Sequence, residues 1–366
     1  MVTAAHEPTR TDTFRADSAA ISTEMRGLRC ALMRSGTSKG AYFLADDLPA
    51  DPELRDSVLL RAMGSPDPDQ VDGIGGGHPL RSKVAVVSRC PAPDVADIDY
   101  LFLQVHVDRP LVTAQQPCGN VLAGVGPFAL ARGLVRARSG IAQVRIRVVT
   151  TGSIATATFH ADGAGEGAVC SVDLEFEDIA GSVCGSLLPT GNVRDEIDGI
   201  AVTCIDNGMP IVIAAAADLG ITGYETCEQL DADLGLTARK EQLRLAAGRL
   251  MGLGDVAQTT VPKISLIAPP KARGTLATRT FFPQGCHTSI GVLSAVSVAT
   301  AAVLPGSVAA GMAAAPGNDG LVRLEHPSGA FEARVISGHD TAAVVLTARM
   351  LFDGIVWPGP RQALTG

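Results

Sequence analysis

Apolar residues recur along this chain in short runs with two distinct periods. Residues 28–33 and 41–44 are compact apolar runs separated by Arg34-Ser-Gly-Thr-Ser-Lys-Gly40. That pattern predicts a strand, a tight loop and a second strand. Over 51–63, Leu54, Val58, Leu59, Ala62 and Met63 fall at helical spacing, with Pro52 suited to a first turn. A Gly-rich loop over 73–77 precedes strand-like 83–88 and 99–107. Residues 122–134 are small and apolar and predict a buried helix ending at Gly133. A hairpin around Gly152 (143–151 and 153–160) and a strand over 169–175 follow.

The stretch 181–199 is rich in Gly, Pro and Asn and marks a boundary. Beyond it the order of elements returns. Strands over 200–205 and 211–216 flank Asp206-Asn-Gly-Met-Pro210. An amphipathic helix spans 238–251, and strands span 263–268 and 275–282. Gly285-Cys-His287 then leads into a small-residue helix over 289–304, stopped by Pro305-Gly306. Strands over 321–326, 330–337 and 342–351 close the chain. Each half therefore carries strands, then a Cys followed by polar residues, then a buried helix. The pattern predicts two related α/β domains, 27–185 and 186–366, behind a disordered extension over 1–26. A cleft between them would bring two helix N-termini together.

Composition narrows the picture. Of 366 residues, 46% are hydrophobic and only 4% aromatic, so the core is built from Ala, Val, Leu and Ile. A mean hydropathy of +0.23 raises the question of a membrane. The longest apolar runs, 211–219 and 290–305, fall short of the roughly 20 residues a span needs. The net charge of −8 argues against a general nucleic-acid binder. It leaves room for a small anionic substrate held by a few cations and amides. The eight cysteines are scattered without a CxxC pair, and the histidines show no metal spacing. The first residues lack the apolar stretch of a secretory signal. A cytoplasmic protein with reduced thiols, and with no metal, is expected.

Four stretches could carry chemistry. Cys118, before Gly119 and Asn120, sits where a helix should start, and free amides there bind anions. Cys286 stands similarly before His287, Thr288 and Ser289. Lys83 opens a strand after a Gly-rich loop, where partial burial would make it a usable base. The 34–40 stretch offers backbone amides, hydroxyls and two cations to a carboxylate, through Arg34, Ser35, Gly36, Thr37, Ser38 and Lys39. It is not a nucleotide-phosphate loop, because the spacing and following helix are absent. His78, His326 and His339 are further isolated histidines.

Taken together, Arg34–Gly40, Gln70-Val-Asp-Gly-Ile-Gly-Gly76, Ser82-Lys83, Cys118-Gly-Asn120 with Ala123-Gly-Val-Gly-Pro-Phe128, Leu188-Pro-Thr-Gly-Asn192 and His326-Pro-Ser-Gly329 resemble the PrpF family. This family comprises 2-methylaconitate cis–trans isomerases and 4-oxalomesaconate tautomerases. The likeness runs from about Gly27 to about Trp357. The short 34–44 stretch and the length are more similar to the tautomerases, enzymes of gallate breakdown. The resemblance implies a diaminopimelate epimerase-like fold: two pseudo-symmetric α/β domains, each with β-structure wrapped round a central helix. In that fold the C-terminal segment can return to the first domain. It further implies cofactor-independent proton movement on a small polycarboxylate, with Lys83 and Cys118 matching the family's acid/base pair. Cys286 resembles the second cysteine of the epimerase pattern. Ser35 stands where the family commonly has Gly, and 77–81 is not the isomerases' usual Thr/Ser-rich stretch. Both departures bear on substrate identity.

The resulting expectation is a 1,3-proton shift on a tricarboxylate, with Lys83 and Cys118 as acid and base and Cys286 as an alternative partner. Carboxylates would rest on 34–39, on Gly119 and Asn120, on Met209, Lys263, Arg279, His287 and Thr288, and on Ser328. The other readings are 2-methylaconitate isomerisation and a catalytically silent acid-binding protein of the same fold. No nucleic-acid or membrane partner is expected, and the assembly is left open to a homodimer.

Overall fold

The computed structural model describes residues 27–114, 118–164, 167–282, 285–315, 321–335 and 342–360. The extension over 1–26 and His339 lie outside the described residues. In the first half, strands are β1 (Leu28–Ser35), β2 (Ser38–Leu44), β3 (Lys83–Arg89), β4 (Ile98–Val105), β5 (Val112–Thr113), β6 (Ile141–Val148), β7 (Ile154–His160) and β8 (Cys170–Glu177). In the second they are β9 (Asp195–Ile197), β10 (Ile200–Asp206), β11 (Pro210–Ala215), β12 (Lys263–Ala268), β13 (Leu276–Phe282), β14 (Gly285–Cys286), β15 (Leu321–His326), β16 (Gly329–Val335) and β17 (Ala342–Val356).

The pairings run in the same order twice. In the first half β1/β2 is antiparallel, β2/β3 parallel, β3/β4 antiparallel, β4/β6 parallel, and β6/β7 and β7/β8 antiparallel. In the second half β10/β11, β11/β12, β12/β13, β13/β15, β15/β16 and β16/β17 repeat that series of directions. The long β17 then pairs with both β8 and β1, which closes the first series into a ring.

Each series wraps apolar side chains inward. Strands β6 and β8 alternate buried and exposed residues, as a strand with one wet face must. Inside the first ring lie α2 (Gly119–Leu122) and α3 (Val125–Ala131), reached after the outer helix α1 (Pro52–Met63). The expected single helix over 122–134 is thus two short ones. Pro127 has no N–H to offer the Ala123 carbonyl, so the ladder breaks there. On the outer face, Leu59, Ala62 and Met63 of α1 cover Phe43, Val84 and Val86. The second half matches this. The helices α4 (Cys227–Ala232) and α5 (Leu234–Leu250) cover the outer face of β10–β13, while α6 (Val292–Val303) fills the inside.

The two inner helices meet head to head. A Cβ added to Gly119 would lie 2.7 Å from Val292 Cβ, so the first residues of α2 and α6 are in contact. No helix among the described residues is long and apolar enough to cross a membrane.

Candidate active site

Cys118 caps the start of α2. Its backbone is extended (φ −125°, ψ 99°), yet its carbonyl already accepts from the Leu122 amide at 2.9 Å. The hydroxyl of Tyr100 donates to the same carbonyl at 3.2 Å. The thiol is half-buried at the head of a helix whose first amides have no intrahelical acceptor. Cys118 and Gly119 from the first half share the wall of a small cavity with Gly208 and Leu293 from the second.

The β1–β2 turn docks on this helix start. The Thr37 amide donates to Asn120 Oδ1 at 3.1 Å. Gly36 has φ +50°, and a Cβ there would strike Asn120 Oδ1, so both conformation and space demand glycine. Ser35 Oγ pairs with Tyr42 Oη at 2.8 Å, and Tyr42 Oη donates to the Val121 carbonyl at 2.5 Å. Gly36-Thr-Ser-Lys-Gly40 also spells Gly-x-Ser-x-Gly, the letters of a hydrolase elbow. Here it turns between antiparallel strands instead of leading into a helix, so it is not that elbow. Ser38 Oγ is buried without a hydrogen-bond partner among the described residues. Lys39 lies on the other side of this turn, with its ammonium toward Gly76.

Lys83 opens β3 and is only 7% exposed. Its ammonium donates to Gln104 Oε1 at 2.9 Å and lies 5.0 Å from the centre of the Phe102 ring. The amide end of Gln104 donates to the Ser82 carbonyl at 2.9 Å and the Pro79 carbonyl at 3.1 Å. Those two carbonyls leave only Oε1 to face the lysine.

Lys263 opens β12, the second-half counterpart of β3. Burial, with the Lys83 ammonium beside it, brings Lys263 down to about 8, while Cys118 acts in the opposite direction. His287 is pushed down to about 3 by burial and then by Lys263, Lys83, His326 and His78. Its ring is therefore neutral at pH 7. Its Nδ1 accepts from the Ser289 amide at 3.0 Å, which leaves the proton on Nε2. The charges acting on His287 are all basic. Two lysines, Lys83 and Lys263, thus face this histidine on a chain whose net charge is −8.

This arrangement joins a thiol at a helix start, a tethered lysine and a second lysine, and a family model described as PrpF protein matches residues 25–358. The chain belongs to the PrpF family. A 4-oxalomesaconate tautomerase of Pseudomonas putida is 52% identical over 355 residues, covering 91% of this chain and 98% of that protein. A (4E)-oxalomesaconate Δ-isomerase of Novosphingobium is 51% identical, covering 90% and 96%. A crystal structure of methylitaconate Δ-isomerase superposes with a TM-score of 0.80 at 29% identity, covering 94% of this chain and all of that one. A hydroxyproline epimerase from Agrobacterium vitis, at 14% identity and a TM-score of 0.54, shares the fold alone. The fold is diaminopimelate epimerase-like.

Within this PrpF-family cleft, the structure brings together Lys83, Cys118, Gly119, Asn120, Lys263 and His287, with Thr37 bonded to Asn120. Thr288 and Ser328 meet at the rim, where the Ser328 amide donates to the Thr288 carbonyl at 3.0 Å. Four expected residues point elsewhere. Strand alternation sends His287 to the cleft and Cys286 to the opposite side. There the Cys286 Sγ lies 3.0 Å from Cys227 Sγ in the apolar layer under α4, and burial pushes its thiol up. Arg279 lies on the outward face of β13, with Nε donating to the Glu225 carbonyl at 2.7 Å. Arg34 is held at 2.6 Å by the carbonyl and hydroxyl of Thr347 on β17. Met209 packs its side chain in the core.

Sequence reasoning missed two contributors and left His78 as an isolated histidine. Gln104 and Tyr100 lie on β4, where a polar residue in an apolar strand was the available signal. His78 sits close enough to Lys83 for its protonated form to be disfavoured, after burial and Arg81.

Proposed function

We propose that this chain is a cofactor-independent isomerase that tautomerises 4-oxalomesaconate, with Lys83 and Cys118 moving the proton. The observation that carries the reading is Cys118 at the head of α2 and Lys83 held by Gln104, both close enough to Lys263 to act on its ammonium, with opposite signs. The 52% identity to a tautomerase over nearly the whole chain supports the substrate.

In the proposed reaction one group of the pair removes a proton from the CH₂ beside the oxo group. The C–H electrons form a carbon–carbon double bond, and the carbonyl electrons move onto oxygen. The other group delivers a proton to that oxygen, completing the enol. In an allylic isomerisation the second proton would instead return to the far carbon. Preorganised donors stabilise the developing enolate: the Lys263 ammonium, the His287 Nε2–H and the amides at the head of α2. Substrate carboxylates rest against Lys263, Thr37 and Ser38, and the rim at Thr288 and Ser328. We place the reaction in aromatic-acid breakdown in the cytoplasm, where ring opening supplies unsaturated oxo-acids. The test is the ultraviolet change on mixing the protein with freshly prepared keto-form 4-oxalomesaconate, compared with 2-methylaconitate. A higher kcat/KM on the oxo-acid supports the reading; turnover of 2-methylaconitate alone replaces it with the isomerase.

A further inference from the structure

A second basic cavity lies outside this cleft. It is open to solvent, has a volume of about 620 Å³ and is lined by Tyr224, Lys271, Arg273, Arg279, Arg323 and Glu325, with His326 at its edge. Four of these side chains are cationic and one is a carboxylate. The carboxylate is already engaged: Glu325 accepts from the amides of Lys271 at 2.7 Å, Ala272 at 2.9 Å and Gly274 at 2.8 Å.

The cations are less well compensated. Arg279 is 8% exposed, yet among the described residues its guanidinium donates only to neutral carbonyls, those of Glu225 at 2.7 Å and Thr278 at 2.9 Å. Lys271 lies over the Tyr224 ring at 5.3 Å. Among the described residues none of Lys271, Arg273 and Arg279 forms an ion pair with a carboxylate, whereas Arg323 pairs with Glu332 at 3.0 Å. Lys271 and Arg273 are exposed, whereas Arg279 is buried. A charge held, like that of Arg279, in a desolvated wall without a counter-charge favours an anion that supplies one, and the two exposed cations add to the attraction. The volume falls within the few hundred to about 1,000 Å³ typical of small-molecule sites.

We propose that this cavity binds a small multivalent anion, a polycarboxylate or inorganic phosphate, separately from the catalytic cleft. The two spaces share a wall. His326 edges the cavity, and its Nε2 lies 3.4 Å from Ser289 Oγ, whose residue's amide holds His287 in the cleft.

Isothermal titration of the full chain with citrate, and separately with inorganic phosphate, tests this. The variants are the exposed pair Lys271→Gln/Arg273→Gln and, independently, Lys83→Ala. Wild type should take two citrates, or one citrate in the cleft and one phosphate in the cavity. The Lys271→Gln/Arg273→Gln protein should lose cavity binding by about tenfold or more at unchanged Tm, and should keep its kcat on the oxo-acid. Lys83→Ala should keep cavity binding. Phosphate without citrate in the cavity identifies the anion as phosphate, and the converse as a polycarboxylate. A single site for both anions, unaffected by Lys271→Gln/Arg273→Gln, overturns the proposal.

Discussion

Lys83 and Lys263 are the first residues of equivalent strands in the two halves, and they meet in one cleft, where the first helps hold the second down to about 8. The free enzyme therefore carries Lys263 charged below about pH 8 and neutral above it. A substrate carboxylate is held by the charged form. The account predicts that kcat/KM falls as pH rises through about 8. Lys263→Met should raise KM about 10–100-fold, the loss expected for one charge-assisted hydrogen bond. It should also remove that basic limb. A pH profile of Lys263→Met matching wild type would contradict the assignment.

Gln104 holds Lys83 by a 2.9 Å hydrogen bond, and is itself tied to two carbonyls. Lys83→Ala should lower kcat at least about a hundredfold, in the range of general acid–base contributions. Gln104→Ala should leave the lysine present but loose, costing about tenfold in kcat and altering the pH profile. Steady-state kinetics beside a Tm measurement separates this from misfolding.

Cys118 is half-buried, whereas Cys30, Cys90, Cys170, Cys204, Cys227 and Cys286 are buried. Iodoacetamide should modify Cys118 faster than those six, and a saturating tricarboxylate should protect it. Peptide mapping by mass spectrometry reads the order of labelling. Cys118→Ser should lower kcat at least about a hundredfold.

The contact between Gly119 and Val292 leaves no room for a side chain. Gly119→Ala should force the two helix starts apart and cost about 1–3 kcal/mol, the usual range for overpacking. Denaturant unfolding measures that loss. Turnover should fall as well, because the same helix start carries Cys118.

Much of this architecture was legible in the chain. The apolar run over 263–268 coincides with β12, and the polar break after each half's strands locates the start of each inner helix. What was not legible depended on non-local pairing or on strand parity. The ring closes because β17 reaches Val356, but its last residues include the exposed Phe352 and Ile355, so no alternation announces them. The helix over 122–134 read as continuous because small apolar residues mask the break at Ala123-Gly124, where Pro127 leaves the Ala123 carbonyl without its donor. Cys286 and Arg279 looked like site residues by their neighbours in sequence. Each sits on the strand face opposite the cleft, and a shift of one residue decides that face. Lys83 and Cys118 each follow a loop and open an element, so their place beside Lys263 depends on where the element starts.

The central claim is that Lys83 and Cys118 move a proton on an oxo-tricarboxylate. The most direct measurement is the rate of deuterium entry into the CH₂ of keto-form 4-oxalomesaconate in D₂O, followed by proton NMR. The account predicts exchange well above the blank for wild type, and at least about a hundredfold slower for both Lys83→Ala and Cys118→Ser. Exchange at the wild-type rate in both folded variants would contradict it.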